Sequence, residues 1–329
     1  MTSPSTSDTS PKTWHRDILG DAWQAQDLDL GHDDEGPVTA TLVRRSSGPQ
    51  HGRAVLYIHG FVDYFFQEHQ AEAFENLGFD FYAIDLRKYG RSLREGQTPN
   101  YVTELAQHRT ELEMAKTIIR DVDNHDELIV LGHSTGGLIA ALWANATTGI
   151  DGLILNSPWF DLNKPWFLRT IGTTLVSALG KIAPHLPVGS LAPHYGAALH
   201  IDTGGQWTYD LDLKPHEGFP VRAGWFSAIR RGHAAIRHGL TLPMPVLVLC
   251  STRSGDATRF HNELLTTDSV LNIDHIVTGA QRLGEDVTIA QIEGGTHDLS
   301  LSGPTARAEY FHHIGAWLRE KELAAPTGE

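Results

Sequence analysis

The sequence predicts an α/β fold: a mostly parallel eight-stranded sheet with helices on both faces and an inserted cap. Three observations predict it. Short apolar runs bounded by turn residues recur along the chain, helical periodicities separate them, and the alternation stops once, between about 157 and 238. Parallel strands joined by crossover helices read this way, because a strand covered on both faces has no polar side to show.

Residues 1–21 are rich in Ser, Thr, Pro and charge and are expected to be disordered, as is the tail 324–329. Segments 23–30 and 38–44 alternate apolar and polar side chains, the pattern of antiparallel edge strands. The runs 54–59, 79–85, 128–131, 153–156, 246–250 and 287–292 are predominantly apolar and are expected to form the buried parallel part. Helical spacing is clearest at Leu105, Leu112, Ala115, Ile119 and Val122, and at Tyr310, Phe311, Ile314, Trp317 and Leu318 behind Pro304 at a first-turn position. From 157 to 238 no strand run occurs. The expected division is a core of 22–156 and 239–323 with a cap of 157–238, which would roof the carboxyl ends of the strands, where ligands bind in such folds.

Composition narrows the function classes. With 40% apolar and 20% charged residues the chain sits in the ordinary globular range. Its formal charge of -14 argues against a nucleic-acid partner, since phosphate binding needs clustered Lys and Arg. Cys250 is the single cysteine, so neither an intramolecular disulfide nor a thiolate metal cluster is available. No run is long and apolar enough to span a bilayer, and the N-terminus lacks the apolar core of a signal peptide, so a cytoplasmic location is expected. The 19 histidines are scattered, and His312–His313 lacks the i, i+4 spacing of helix-borne ligands, so no metal and no cofactor are expected. The oligomeric state is left open.

The run 128–131 leads into Gly132-His133-Ser134-Thr135-Gly136-Gly137, after which 138–145 continues as a helix. This is a G-x-S-x-G elbow in its strand-turn-helix setting, with Ser134 as candidate nucleophile. Gly132 and Gly136 supply the clearance for the helix to pass close to the strand. The N–H of Thr135 then lies at a helix N-terminus as a candidate oxyanion donor. A serine that merely caps a helix is the plainer reading, but a second element stands against it. The run 54–58 ends in His59-Gly60-Phe61-Val62-Asp63, which lets the N–H of Phe61 turn toward the nucleophile as a second donor. His59 is read as a structural hydrogen-bonding residue.

Three motifs together, His59-Gly60-Phe61-Val62-Asp63-Tyr64, Asp85-Leu86-Arg87-Lys88-Tyr89-Gly90-Arg91-Ser92 and Gly132-His133-Ser134-Thr135-Gly136-Gly137, resemble the monoacylglycerol lipase and lysophospholipase branch of the α/β-hydrolases, also filed as the serine aminopeptidase family. The similarity covers roughly residues 50–320 and weakens in the cap. It implies hydrolysis of acyl esters by a Ser-Asp-His triad without a cofactor.

Chain order in this fold puts the acid and then the base on turns after later strands. Glu293-Gly294-Gly295-Thr296-His297-Asp298 follows the run 287–292 and puts His297, the candidate general base, on a loop before the last helix. The acid departs from the family pattern. At the usual offset after 246–250 this chain has Ser254, with Asp256 soon after. The stretch Asp268-Ser269-Val270-Leu271-Asn272-Ile273-Asp274 nevertheless resembles the family's acid segment, displaced by a longer loop over 251–267. Asp268 is therefore favoured over Asp256.

In the cap, Trp166, Phe167, Leu168, Ile171, Leu175, Leu179 and Ile182 trace an apolar helical stripe. Trp159, Phe160, Trp207, Phe219, Trp225 and Phe226 add aromatic surface, so a pocket for medium or long acyl chains is expected. The expected activity is cleavage of small-molecule esters of apolar acyl groups through an acyl-enzyme. A thioesterase or acyltransferase shares the same apparatus. A serine aminopeptidase would need cap carboxylates for the substrate amine, and Asp202, Asp210, Asp212 and Glu217 are candidates. A non-catalytic binding member of the fold would need neither Ser134 nor His297.

Overall fold

The computed structural model describes residues 13–163 and 180–323. Its main sheet has nine strands: β1 (His15–Asp17), β2 (Gly20–Asp33), β3 (Gly36–Arg45), β4 (Arg53–Ile58), β5 (Asp80–Asp85), β6 (Glu127–His133), β7 (Gly152–Asn156), β10 (Val246–Ser251) and β11 (Val287–Ile292), in the order β1-β2-β3-β5-β4-β6-β7-β10-β11. The six strands from β5 to β11 in that order are mutually parallel, and β1, β2 and β3 form an antiparallel edge.

Side chains of the central strands divide by parity between two cores, as a pleat requires. Ala54, Leu56, Ile58, Leu128 and Val130 face the helices Arg109–Thr117, Thr135–Ala144, Ala223–His238 and Ile273–Ala280. Val55, Tyr57, Ile129 and Leu131 face the helices Glu68–Glu75 and Pro304–Glu320. Both faces are apolar, which is why these strands show no alternation in the sequence.

The structure corrects several expectations. The sheet has nine strands rather than eight, because β1 lies inside the segment expected to be disordered. Its three polar residues carry no periodic signal, and order there comes from Asp17, whose carboxylate takes two bonds from the Arg91 guanidinium at 2.6 and 2.8 Å. Residues 1–12 and 324–329 lie outside the described residues. Val122 is 64% exposed rather than on the buried face. The helix from Arg109 widens into a π turn over Ile118–Val122, which turns that residue away from the sheet. Within 157–238 two short strands, β8 (Pro187–Gly189) and β9 (Val221–Arg222), pair antiparallel, too short to register as runs. Of the expected cap stripe, Ile182 is 83% exposed, and Trp166, Phe167, Leu168, Ile171, Leu175 and Leu179 lie outside the described residues. Among the described residues no helix is long and apolar enough to cross a membrane.

Candidate active site

In a parallel sheet all carboxyl ends open on one edge, and that edge gathers the sequence-predicted residues. The His59–Asp63 loop follows β4, Ser134 follows β6, Asp268 lies beyond β10 and His297 beyond β11.

Ser134 stands at the cap of the helix Thr135–Ala144 with φ 53° and ψ −115°. Such a conformation costs a non-glycine residue about 1–3 kcal/mol and persists only when its surroundings impose it. They do so here. The Ser134 N–H donates to the Asn156 carbonyl at 3.0 Å, and the Ser134 carbonyl accepts from the N–H groups of Gly137, Leu138 and Trp159 at 3.0, 3.2 and 3.0 Å. The turn also needs bare backbone around it. A Cβ on Gly136 would lie 2.3 Å from the carbonyl oxygens of both Ile58 and His59, and one on Gly132 would lie 2.7 Å from the Gly136 carbonyl.

His297 Nε2 lies 3.0 Å from Ser134 Oγ, and its Nδ1 lies 3.0 Å from Asp268 Oδ2. A carboxylate offers only acceptors, so Nδ1 carries the proton and the Nε2 lone pair faces the hydroxyl. Asp268 is fully buried, and its other oxygen accepts from the N–H groups of Val270 and Leu271 at 3.0 and 2.8 Å. Asp256 is elsewhere. It closes an exposed turn, accepting from the Thr258 N–H and hydroxyl at 2.8 and 2.6 Å and pairing with Arg259 at 3.4 Å. Of the two candidate acids, only Asp268 touches His297.

The Phe61 loop lies against Ser134, since a Cβ on Gly60 would be 3.3 Å from Ser134 Cβ. Among the described residues neither the Phe61 nor the Thr135 N–H has a hydrogen-bond acceptor. His59 takes no part in the hydrogen-bonded chain. Its Nε2 accepts from the Leu86 N–H at 3.0 Å and its Nδ1 donates to the Gly60 carbonyl at 2.8 Å. Burial pushes its imidazole below the ordinary value despite the nearby carboxylates of Asp85 and Asp63.

Two supports were not apparent from the sequence. Asp298 is buried. Its Oδ1 accepts from Asn156 Nδ2 at 2.8 Å and from the Ser300 N–H and hydroxyl at 3.0 and 2.8 Å, and its Oδ2 accepts from Gln67 Nε2 at 3.2 Å. Burial alone would raise its pKa. The neighbouring His133, the Ser300 and Asn156 bonds and the Lys214 charge outweigh that and hold it below the ordinary carboxylate value. Tyr195 reaches in from the 157–238 segment, its hydroxyl accepting from the Asp298 N–H at 2.9 Å and its ring standing edge-on to His297 at 5.9 Å. The loop carrying His297 is thus pinned from two sides. Adjacency to His297 was the available signal for Asp298; Tyr195 had none.

The aromatic candidates separate. Phe61 stacks on Trp225 at 4.2 Å, and Trp159 lies 5.9 Å beyond Trp225, so these three make one wall beside Ser134. Phe226 and Phe219 are partly exposed and Phe160 is buried against Gly279. Trp207 instead stacks on His69 and lines a separate surface cleft of about 510 Å³ with Arg307 and Phe311. Asp202, Asp210, Asp212 and Glu217 are all exposed. Among the described residues no three His, Cys, Asp or Glu side chains gather as metal ligands would.

Chemically, an imidazole held by a buried carboxylate against a strained hydroxyl can accept that hydroxyl's proton as it attacks a carbonyl, and two free amides nearby can hold the resulting negative charge.

The sequence profile of the family described as serine aminopeptidase, S33, matches residues 49–254, well over half of the chain. The match ends ahead of Asp268 and His297, so those two stand on the geometry alone. Among curated proteins none matches. Similar solved structures include a soluble variant of monoglyceride lipase from Saccharomyces cerevisiae with a substrate analog, at 15% identity, covering 90% of this chain and 96% of that one with a TM-score of 0.64. A monoacylglycerol lipase from Paleococcus ferrophilus is 18% identical, with 90% and 99% covered and a TM-score of 0.60. A thermostable carboxyl esterase from Bacillus coagulans with glycerol is 14% identical, with 90% and 98% covered and a TM-score of 0.64. At these identities the likeness carries the α/β-hydrolase fold.

Proposed function

The chain belongs to the serine aminopeptidase S33 family of α/β-hydrolases, and from that premise we propose that it is a serine hydrolase cleaving carboxylic esters of apolar acyl groups. The observation that carries the proposal is the hydrogen-bonded chain from Ser134 Oγ through His297 to Asp268, 3.0 Å at each link. In the proposed reaction Ser134 Oγ attacks the ester carbonyl carbon while its proton passes to His297 Nε2. Asp268 keeps the Nδ1 proton and balances the imidazolium charge. The carbonyl oxygen becomes negative and is held by the N–H groups of Phe61 and Thr135. When the tetrahedral adduct collapses, the alcohol leaves with the proton from His297. Water, deprotonated by the same nitrogen, then attacks the acyl-enzyme and releases the acid.

The segment 157–238 is proposed as the cap over this site, with Phe61, Trp225 and Trp159 as the wall met by the acyl group. A substrate with a free amine fits less well. The four candidate carboxylates for it are exposed, and among the described residues the segment pairs a cation, Lys214, with Asp63 of the Phe61 loop.

The test is labelling with a fluorophosphonate probe, run beside hydrolysis of p-nitrophenyl esters and monoacylglycerols of varied chain length. Wild type should be labelled and active, and Ser134→Ala should lose labelling and roughly five to six orders of magnitude of turnover. A wild type that resists the probe and cleaves no ester would make the chain a binding member of its fold.

A further inference from the structure

The amides on either side of Phe61 are tied down. The Val62 N–H donates to Asn100 Oδ1 at 3.2 Å, and the Gly60 N–H faces Asp63 Oδ2 at 3.4 Å. The second bond is long, so the Asp63 carboxylate is steered chiefly by its other partner. That partner is Lys214, whose Nζ lies 2.5 Å from Asp63 Oδ1. Asp63 is only 2% exposed, and the Lys214 ammonium sits over the rings of Phe66 and Tyr209 at 5.1 and 5.5 Å. The chain around Lys214 is fixed to the same loop. The Asp210 N–H donates to the Tyr64 hydroxyl at 2.7 Å, and Tyr209 packs on Phe66 at 5.0 Å.

We propose that Lys214 is a positioning residue for the oxyanion donor at Phe61, acting through Asp63. The inference rests on the reading of Ser134 as nucleophile and of the Phe61 N–H as oxyanion donor. A buried carboxylate stripped of its cation is costly, so without Lys214 the Asp63 side chain either takes up a proton or swings toward water. Either outcome loosens its hold on Gly60, one peptide away from the Phe61 amide. A displacement of about 1 Å at such a donor is enough to lower turnover on the order of a hundredfold. Because negative charge builds on the oxygen on the way to the tetrahedral adduct and is absent from the bound ester, the loss falls on kcat and not on KM.

The experiment uses the full chain as wild type, Lys214→Met, Lys214→Arg and the double variant Lys214→Met with Asp63→Asn. Each is measured for kcat and KM on p-nitrophenyl butyrate, inhibition by a trifluoromethyl ketone that places an oxyanion on Ser134, and melting temperature. Lys214→Met should lower kcat by roughly 10- to 100-fold with KM within about threefold, and should weaken the ketone in proportion to kcat/KM. Lys214→Arg should keep most activity. The double variant should recover about tenfold over Lys214→Met, since a neutral amide oxygen still accepts from Gly60 without needing a cation. The proposal is overturned if Lys214→Met keeps kcat within about threefold, or if it loses stability and activity with ketone affinity unchanged and no recovery in the double variant. An inactive, unlabelled wild type overturns the serine-hydrolase reading and this inference with it; an active wild type beside an unimpaired Lys214→Met overturns the inference alone.

Discussion

Ser254 and Asp268 pair as neighbours across a short bridge, with the Gly255 N–H donating to the Asp268 carbonyl at 2.7 Å and the Asp268 N–H to the Arg253 carbonyl at 2.9 Å. The chain leaves the end of β10, runs out through the exposed turn at Asp256 and returns, so that Asp268 arrives beside the strand end. Its carboxylate there holds the His297 tautomer. Asp268→Asn should therefore lower kcat by about 10⁴-fold, because an amide can donate to Nδ1 and put the proton on the wrong nitrogen. Asp256→Asn should stay within about twofold, as expected of an exposed turn residue. Steady-state hydrolysis of a p-nitrophenyl ester by both variants decides the point, and a reversed order would transfer the role to Asp256.

Gly136 makes the closest approach at the elbow. Its missing side chain allows the helix Thr135–Ala144 to rest on the carbonyl oxygens of Ile58 and His59. In Gly136→Ala a methyl must fit where 2.3 Å is available, against backbone that cannot rotate away. Helix and strand end must separate, at a cost of roughly 1–3 kcal/mol. The expected outcome is a melting temperature lowered by several degrees together with a turnover loss beyond about 100-fold, since the same shift moves Ser134 and the Thr135 amide. Activity kept at wild-type level would show that the elbow tolerates a wider spacing.

Legibility in the sequence followed the range of the interaction. The elbow was readable because its steric demands fall on residues two positions from Ser134, and His297 because a glycine-rich turn after a strand is a local feature. Asp268 was readable only by likeness to a known segment, since a return loop such as that over 255–267 has no local signature. The strand β1, the pairs Arg91–Asp17 and Lys214–Asp63, and the Tyr195 contact with the Asp298 amide join residues far apart in the chain. Each depends on where the fold brings the two partners, and neither partner's neighbours announce it. Val122 shows the converse case, a correct local period interrupted by a π turn that leaves no mark on the apolar spacing.

Acid should destabilise the fold in two stages. His59, His69, His133, His216 and His233 are all held below their ordinary pKa, chiefly by burial, His233 to about 3. His125 goes the other way, since its bond to Asp80 outweighs the effect of burial. The unfolded chain takes up protons near pH 6.5, where these five imidazoles, three of them buried and His69 and His216 partly so, do so less readily, so stability is fully present above that pH and falls below it. Asp298, Asp17 and Glu111 are carboxylates with lowered folded values, so their contribution is present above about pH 4 and lost as pH falls further. Urea midpoints measured from pH 8 to pH 3 should drop first below about 6.5 and again below about 4. His133→Gln should make the first stage shallower and, because His133 helps to hold Asp298 low, weaken the second as well. A midpoint constant from pH 8 to pH 5 would contradict this assignment.

The wall formed by Phe61, Trp225 and Trp159 connects the Phe61 loop to the proposed cap, and so it should govern which acyl groups are accepted. Each methylene laid against such a surface contributes about 0.8 kcal/mol, or roughly fourfold in kcat/KM, until the pocket is full. A series of p-nitrophenyl esters from acetate to decanoate should therefore rise over its first several members. Trp225 is buried and supports the Phe61 ring at 4.2 Å. In Trp225→Ala the ring loses its backing and the wall recedes, so the preferred chain should lengthen while fluorophosphonate labelling of Ser134 persists. The two readouts separate pocket from chemistry. A lengthened optimum with labelling intact identifies Trp225 as part of the acyl surface, whereas loss of labelling would mean that its main role is to hold the Phe61 loop in place. Best activity on acetate in the wild type would remove the case for an apolar acyl substrate and leave the nucleophile argument untouched.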